Sequence, residues 1–143
     1  TTQYRPEMEL TDMPKYVHIH IEEPELSLDP TSQIQMLNEI IRLAFYSKVD
    51  SREIGLVLAT HSPYIINSLN LLMKAHDCKT DIDGAHVGYD DLSVYQILSG
   101  GVADLKVKNI HYVNTDRLSE DINNIYDKYQ ELKQLQNEES LGK

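Results

Sequence analysis

The sequence predicts an α/β protein with a small parallel sheet, followed by a β-hairpin and a final helix. Two apolar runs, residues 16–22 and 54–60, each lead through polar residues into an aspartate or serine followed by proline. That dipeptide is a common helix start, because the first residue caps the helix and proline suits its first position. Strand–helix–strand–helix order places the two strands parallel in one sheet.

The first half, residues 16–76, contains this alternation, and residues 1–15 before it read as a lead-in segment. The first strand is predicted over Tyr16–Glu22 and the second over Ile54–Thr60. The helices are predicted from Pro30 to about Tyr46 and onward from Pro63. Apolar residues at helical spacing support the first helix: Ile34, Leu37, Ile40, Ile41 and Ala44.

Residues 77–136 form a predicted C-terminal α+β appendage, and residues 137–143 a frayed tail. Val94–Leu98 and Leu105–Val113 are predicted strands, joined near Gly100-Gly101 as a hairpin. A helix follows, with an apolar stripe that we expect to face the core or a partner. The stripe comprises Leu118, Ile122, Ile125, Tyr126, Tyr129 and Leu132.

Composition restricts the classes of function open to this chain. The 143 residues carry a formal net charge of −10, which repels phosphate backbones and argues against direct nucleic-acid contact by this segment. The single cysteine, Cys78, has no partner for an internal disulfide, which predicts a reducing, cytoplasmic setting. No apolar run is long enough to cross a bilayer.

Two adjacent glutamates close the first strand and are followed by proline. A nucleotide hydrolase needs a carboxylate to serve Mg²⁺ and a second group to position the attacking water. Glu22, the last strand residue, could serve the metal through water, since Mg²⁺ usually keeps several of its water ligands. Glu23 could orient the water. The alternative interpretation of the same residues is an exposed acidic loop after an edge strand.

His61 follows the second strand, between Thr60 and the Ser62-Pro63 helix start. Ligands of open α/β sheets bind at the carboxyl ends of the strands, where both glutamates and this imidazole should meet. The alternative for His61 is an ordinary surface or capping histidine. Asp29 is expected to cap the first helix whatever else it does.

The motifs I-E-E-P-E-L-S-L-D-P and A-T-H-S-P resemble those of the C-terminal half of an ABC-type ATPase, a partial P-loop NTPase fold. They look most similar to the soluble branch of OLD-family nucleases and AAA-like ATP-binding proteins. The resemblance covers roughly residues 16–75. It implies Glu22 as the Walker B acid, Glu23 as the catalytic base and His61 as the γ-phosphate switch.

The resemblance also implies ATP and Mg²⁺ as cofactors and a homodimer that sandwiches them. Asp29 and Ser62 would belong to the nucleotide-binding surface, Asp29 as a contact across the dimer. ATP hydrolysis would act on DNA or on an effector through other segments, in nucleic-acid maintenance or phage defence. No G-x-x-x-x-G-K-[ST] phosphate loop occurs in the sequence, so the Walker A half is expected upstream of Thr1 and this chain alone should be inactive.

Two departures leave the branch open. Most ABC proteins carry aspartate at the position of Glu22, and OLD-like proteins often carry histidine at that of Asp29. The run Leu98-Ser99-Gly100-Gly101 resembles the ABC signature, but it follows the histidine instead of preceding Walker B. We therefore interpret it as a hairpin turn.

Two other functions fit parts of the sequence. His18, His20 and Glu22 alternate along one strand face and could bind a divalent metal ion. The chain could also be a non-enzymatic interaction or dimerisation module that retains the remnant of an ATPase fold, with Tyr126 and Tyr129 against a partner. That second class predicts that neither Glu23 nor His61 matters for function.

Overall fold

The computed structural model describes residues 15–47 and 52–142, so nearly all of the predicted lead-in segment lies outside the described residues. The fold is mixed α/β. The chain divides into two compact units. The first comprises the described residues up to His61 together with Asp81–His86, and the second comprises Ser62–Thr80 and the residues from Val87 onward.

The first unit contains the predicted parallel sheet. Strand β1 (Tyr16–Glu22) pairs with β2 (Glu53–Ala59) in parallel, with Tyr16 opposite Glu53 and Glu22 opposite Ala59. Exposure alternates along β1, so that its apolar residues are half-buried on one face while its polar residues and Tyr16 are exposed on the other. The parallel register brings the ends of both strands to the same edge of the sheet.

Helix α1 (Pro30–Ile41) begins at the predicted proline. It continues as a π-helical turn over Arg42–Tyr46, which accounts for the predicted end near Tyr46. Leu37 and Ile41 are buried. The ring of Tyr46 stacks on His86 at 4.2 Å between centroids, and its hydroxyl donates to the His86 carbonyl at 2.8 Å.

The second unit is built on helix α2 (Pro63–Asp77). The Asn70 amide holds the loop before the last helix, because Nδ2 donates to the Val113 carbonyl at 2.9 Å and Oδ1 accepts from the Val113 N–H at 2.7 Å. The buried apolar residues of this unit come from α2 and from the loops around the hairpin. They are Ile65, Leu69, Leu72, Met73, Ala75, Val94, Leu105 and Val113.

The predicted hairpin is present, but its second strand differs from the prediction. Strand β3 (Tyr95–Leu98) pairs antiparallel with β4 (Gly101–Asp104), and Ser99-Gly100 form the turn. The alternating run from Leu105 to Val113 is not that strand. It folds back on itself at Asn109, whose φ of 67° is left-handed, and Val107 N–H donates to the Tyr112 carbonyl at 2.9 Å.

Helix α3 (Asp116–Leu141) forms as predicted and continues to Leu141. None of its residues is buried among the described residues, so the interpretation of its stripe as core of this chain is wrong. Ile122, Ile125, Tyr129 and Leu132 are each more than half exposed. Helical spacing identifies a face that can be covered but not what covers it. Within the described ranges, no helix has the length and apolar character needed to cross a membrane.

Two adjacent leucines of α2 differ in burial, so alanine substitutions at them can test the core of the second unit. Leu72 is 1% exposed and Leu71 is 54% exposed. Replacing Leu72 by alanine should lower the free energy of unfolding by about 2–5 kcal/mol, because it removes buried methyl groups and leaves a cavity. The matched variant Leu71→Ala should change it by about 0.5 kcal/mol or less, measured by urea unfolding of both variants.

Candidate functional site

The candidate site lies at the carboxyl edge of the β1–β2 sheet. The Glu23 N–H donates to the Ala59 carbonyl at 2.8 Å, which extends the strand pairing by one residue past Glu22. Glu23 itself has a φ of 45°, in the left-handed region that residues other than glycine rarely adopt. This backbone turn ends the strand and separates the directions of the two glutamate side chains. Unusual backbone conformations of this kind concentrate at functional sites.

His61 and Glu23 meet at this edge. Nε2 of His61 lies 3.6 Å from Oε1 of Glu23, close enough for an ion pair when the imidazole is protonated. Both side chains face solvent, at 89% exposed for His61 and 51% for Glu23. The structure therefore brings together two residues that lie on separate loops and leaves both accessible to a ligand.

A third carboxylate, Glu25, belongs to the same edge and was missed by the sequence analysis. Its Oε1 accepts hydrogen bonds from the Thr60 hydroxyl at 2.6 Å and from the His61 N–H at 3.0 Å. Oε2 is buried and has no hydrogen-bond partner among the described residues. The signal was present in the sequence, since E-E-P-E carries a further acid just after the turn proline.

The pKa of Glu25 reflects two opposing effects. Partial burial raises it, whereas the hydrogen bonds from the Thr60 hydroxyl and the His61 N–H lower it, together with the nearby imidazole. The lowering effects together exceed the effect of burial, so the pKa of Glu25 lies below its ordinary value of 4.5. Glu25 is therefore ionised at neutral pH and accepts these bonds as a carboxylate.

Asp29 caps α1, as the sequence predicts. Its Oδ1 accepts from the Thr31 N–H at 3.0 Å and the Ser32 N–H at 3.2 Å, and the Ser32 hydroxyl donates to Oδ2. The pKa of Asp29 lies below its usual value because these Ser32 bonds favour the carboxylate. Capping is thus the role of Asp29 in this structure, and its side chain remains exposed.

Ser62 belongs to the second unit, where it caps α2. Its hydroxyl oxygen accepts from the Ile65 N–H at 3.4 Å, and the residue is 7% exposed. A buried capping hydroxyl leaves little of the side chain for a ligand. The observed role of Ser62 is thus to start the helix that follows His61 in the chain.

The alternating histidines of β1 contact neighbouring rings. The Tyr16 and His18 rings meet edge to face at 4.5 Å, and the His18 and His20 centroids are 6.5 Å apart. His18 also lies over Gly55, where an added Cβ would be 3.0 Å from Nδ1. Across residues 15–47 and 52–142, no three histidine, cysteine or acidic side chains are arranged to hold a metal ion, which argues against the His18, His20 and Glu22 site.

The edge thus combines an exposed carboxylate at a strand end, a second carboxylate in a strained turn and an exposed imidazole. A carboxylate can attract a hydrated cation, and a carboxylate beside an imidazole can orient a water molecule and exchange its proton. These capacities suit a polar, anionic ligand that arrives with its own cation.

Comparison with known proteins identifies no relative of this chain. No protein-family model matches it, and no match was found among the curated proteins or the solved structures.

The depressed pKa of Glu25 makes stability depend on pH in a defined direction. Its hydrogen bonds contribute fully above 4.5, the ordinary value, and the contribution is lost as pH falls through the lower folded-state pKa. The loss of stability caused by Glu25→Gln should therefore be greater at neutral pH than near about pH 3. Chemical denaturation of both proteins at both pH values measures it, and an equal loss at the two pH values would contradict the prediction.

The cap at Ser62 gives a second test. Ser62→Ala should lower the free energy of unfolding by about 1 kcal/mol, because the Ile65 N–H at the start of α2 loses its acceptor. Ser62→Asn should restore most of the loss, since asparagine is a comparable cap. Equal losses in both variants, measured by thermal unfolding, would contradict the capping role.

Proposed function

We propose that this chain contains the Walker B to switch-histidine portion of an ABC-type ATPase. Glu22 serves Mg²⁺ through water, Glu23 orients the attacking water, and His61 contacts the γ-phosphate. Asp29 lies at the nucleotide-binding surface as a contact across the dimer, and the whole protein acts as a homodimer around ATP. Hydrolysis drives a partner or effector in nucleic-acid maintenance or phage defence.

One observation supports this proposal most directly: Nε2 of His61 lies 3.6 Å from Oε1 of Glu23 at the carboxyl edge of a parallel sheet. Transfer of a phosphoryl group to water needs a group that positions the water beside a group that contacts the phosphate being removed. The two side chains come from different strand ends, so their proximity depends on the fold and not on sequence adjacency.

The residues present fit one side of a Mg–ATP site. The acidic edge suits hydrated Mg²⁺, which neutralises phosphate oxygens when bound. The backbone cradle and lysine that hold the β- and γ-phosphates are absent from the sequence. Glu23 and His61 would therefore act on a nucleotide held mainly by another segment. Glu23 would orient the water, and His61 would contact the γ-phosphate.

The sheet itself supports a second segment as partner. Parallel sheets are normally covered on both faces, and two strands alone rarely make a stable sheet. Within the described residues the sheet has only β1 and β2, and the face that carries His18, His20 and Glu22 is exposed. An upstream ATPase half that carries the Walker A strand would extend and cover this sheet.

A second function of another class is favoured by the surface of α3. Five of the six residues of this stripe are each more than half exposed, which is typical of a helix that binds a partner. An interaction or dimerisation module could use this stripe without any ATP chemistry. In that case, neither substitution at the sheet edge would alter the cellular phenotype.

The two functions predict different outcomes for the same variants. In the protein assembled with its Walker A segment, Glu23→Gln and His61→Ala should each lower the kcat of ATP hydrolysis by about 100-fold or more, while ATP still binds. The measurement is steady-state phosphate release beside nucleotide-binding affinity. The 143-residue chain alone should show no turnover.

Glu53→Gln is the matched control, because Glu53 is an exposed glutamate at the opposite end of β2. It should leave kcat unchanged. Unaltered turnover in Glu23→Gln, or turnover by the isolated chain that depends on Glu23, would refute the proposed division of roles. An intact phenotype for both site variants would favour the interaction module.

A further inference from the structure

We propose that Glu25 is a positioning residue, which holds the loop after β2 so that His61 lies beside Glu23. This inference rests on the proposed function for its catalytic consequence. Its structural basis is independent of that function, because the contacts of Glu25 are made within the first unit and involve no ligand.

The geometry connects the loops that follow the two strands. Glu25 lies two residues after Glu23, and its Oε1 accepts from two successive residues of the other loop, Thr60 and His61. One oxygen of the Glu25 carboxylate thus connects the turn that contains Glu23 to the backbone of His61. Bonds to an ionised acceptor are stronger than those between neutral groups.

The His61 imidazole has little else to hold it within its unit. The side chain is 89% exposed, and its closest ionisable neighbour, Glu23 Oε1, is 3.6 Å away. An exposed side chain samples several rotamers, so the position of its backbone limits where the ring can go. The bond from the His61 N–H to Glu25 fixes that backbone at the carboxyl edge of the sheet.

The buried Oε2 distinguishes Glu25 from an ordinary surface acid. A buried acceptor oxygen without a partner costs free energy, and such groups are few in native proteins. A glutamine would offer one acceptor oxygen for the same two donors and would not bury a charge. The presence of a carboxylate here, despite the cost of burying Oε2 without a partner, agrees with a requirement for a strong hydrogen-bond acceptor beside His61.

The first experiment measures amide hydrogen exchange in the 143-residue chain. Glu25→Ala should speed exchange at the His61 N–H by about tenfold or more, because its acceptor is lost. The control amide is Val57: the bonds from Glu53 N–H to the Lys15 carbonyl and from Glu23 N–H to the Ala59 carbonyl place the N–H groups of alternate β2 residues, Val57 among them, toward β1, so Val57 should keep its protection. Glu25→Gln should restore part of the protection at His61, and Glu53→Ala should leave it unchanged.

Thr60 provides a second pair of variants if Glu25→Ala does not fold. Thr60→Val removes the hydroxyl that donates to Glu25 Oε1, and Thr60→Ser keeps it. Thr60→Val should speed hydrogen exchange at the His61 N–H, and Thr60→Ser should leave it unchanged. Unchanged exchange at His61 in Glu25→Ala, or equal loss of protection at His61 and Val57, would overturn the proposal, as would identical behaviour of the two Thr60 variants.

Kinetics then test the catalytic consequence separately. In the assembled ATPase, Glu25→Ala should lower kcat by about tenfold or more with the KM for ATP changed by less than about twofold, since a small misplacement of His61 affects the transition state most. If Glu23→Gln hydrolyses ATP normally, the proposed function fails, while the exchange data still decide whether Glu25 holds His61. If only Glu25→Ala is normal, the positioning role fails and the ATPase stands.

Discussion

The candidate site depends on the parallel pairing of β1 with β2. Because Glu22 pairs with Ala59, the residues that follow each strand emerge at the same edge of the sheet. The backbone bond from Glu23 to the Ala59 carbonyl continues this pairing beyond the strand. A shift of one residue would move Glu22 to the other face and separate Glu23 from His61, because side-chain direction alternates along a strand.

The segment after β1 is shaped by an unusual backbone conformation and by a helix cap. The left-handed conformation of Glu23 ends β1 abruptly, and Asp29 starts α1 a few residues later. Glu25 lies between them and binds the loop after β2. The short segment from Glu22 to Asp29 thus holds carboxylates with different surroundings: exposed, engaged across the sheet edge, or engaged in a helix cap. Their different environments explain why only some of them are free to meet a ligand.

The exposed surfaces of the two units differ in chemistry. In the first unit, the exposed residues of β1 are Tyr16, His18, His20 and Glu22, and this row leads to the acidic edge. In the second unit, the exposed stripe of α3 is apolar and aromatic. The edges of a two-stranded sheet suit pairing with further strands through backbone hydrogen bonds, whereas an apolar helix stripe suits burial against another helix. The chain therefore offers two distinct kinds of contact to other segments or partners.

Local periodicity and cap–proline signals were strong enough to predict both strands, the three helices, the caps at Asp29 and Ser62, and the parallel order. The sequence also placed Glu22, Glu23 and His61 at strand ends. The position of β4 directly after the Ser99-Gly100 turn could not be predicted, since Leu105–Val113 alternates like a strand but folds back at Asn109. The exposed stripe of α3 and the hydrogen bond from His61 to Glu25 were likewise unpredicted, because they depend on which distant segments meet, and long-range contacts leave no periodic pattern in a sequence.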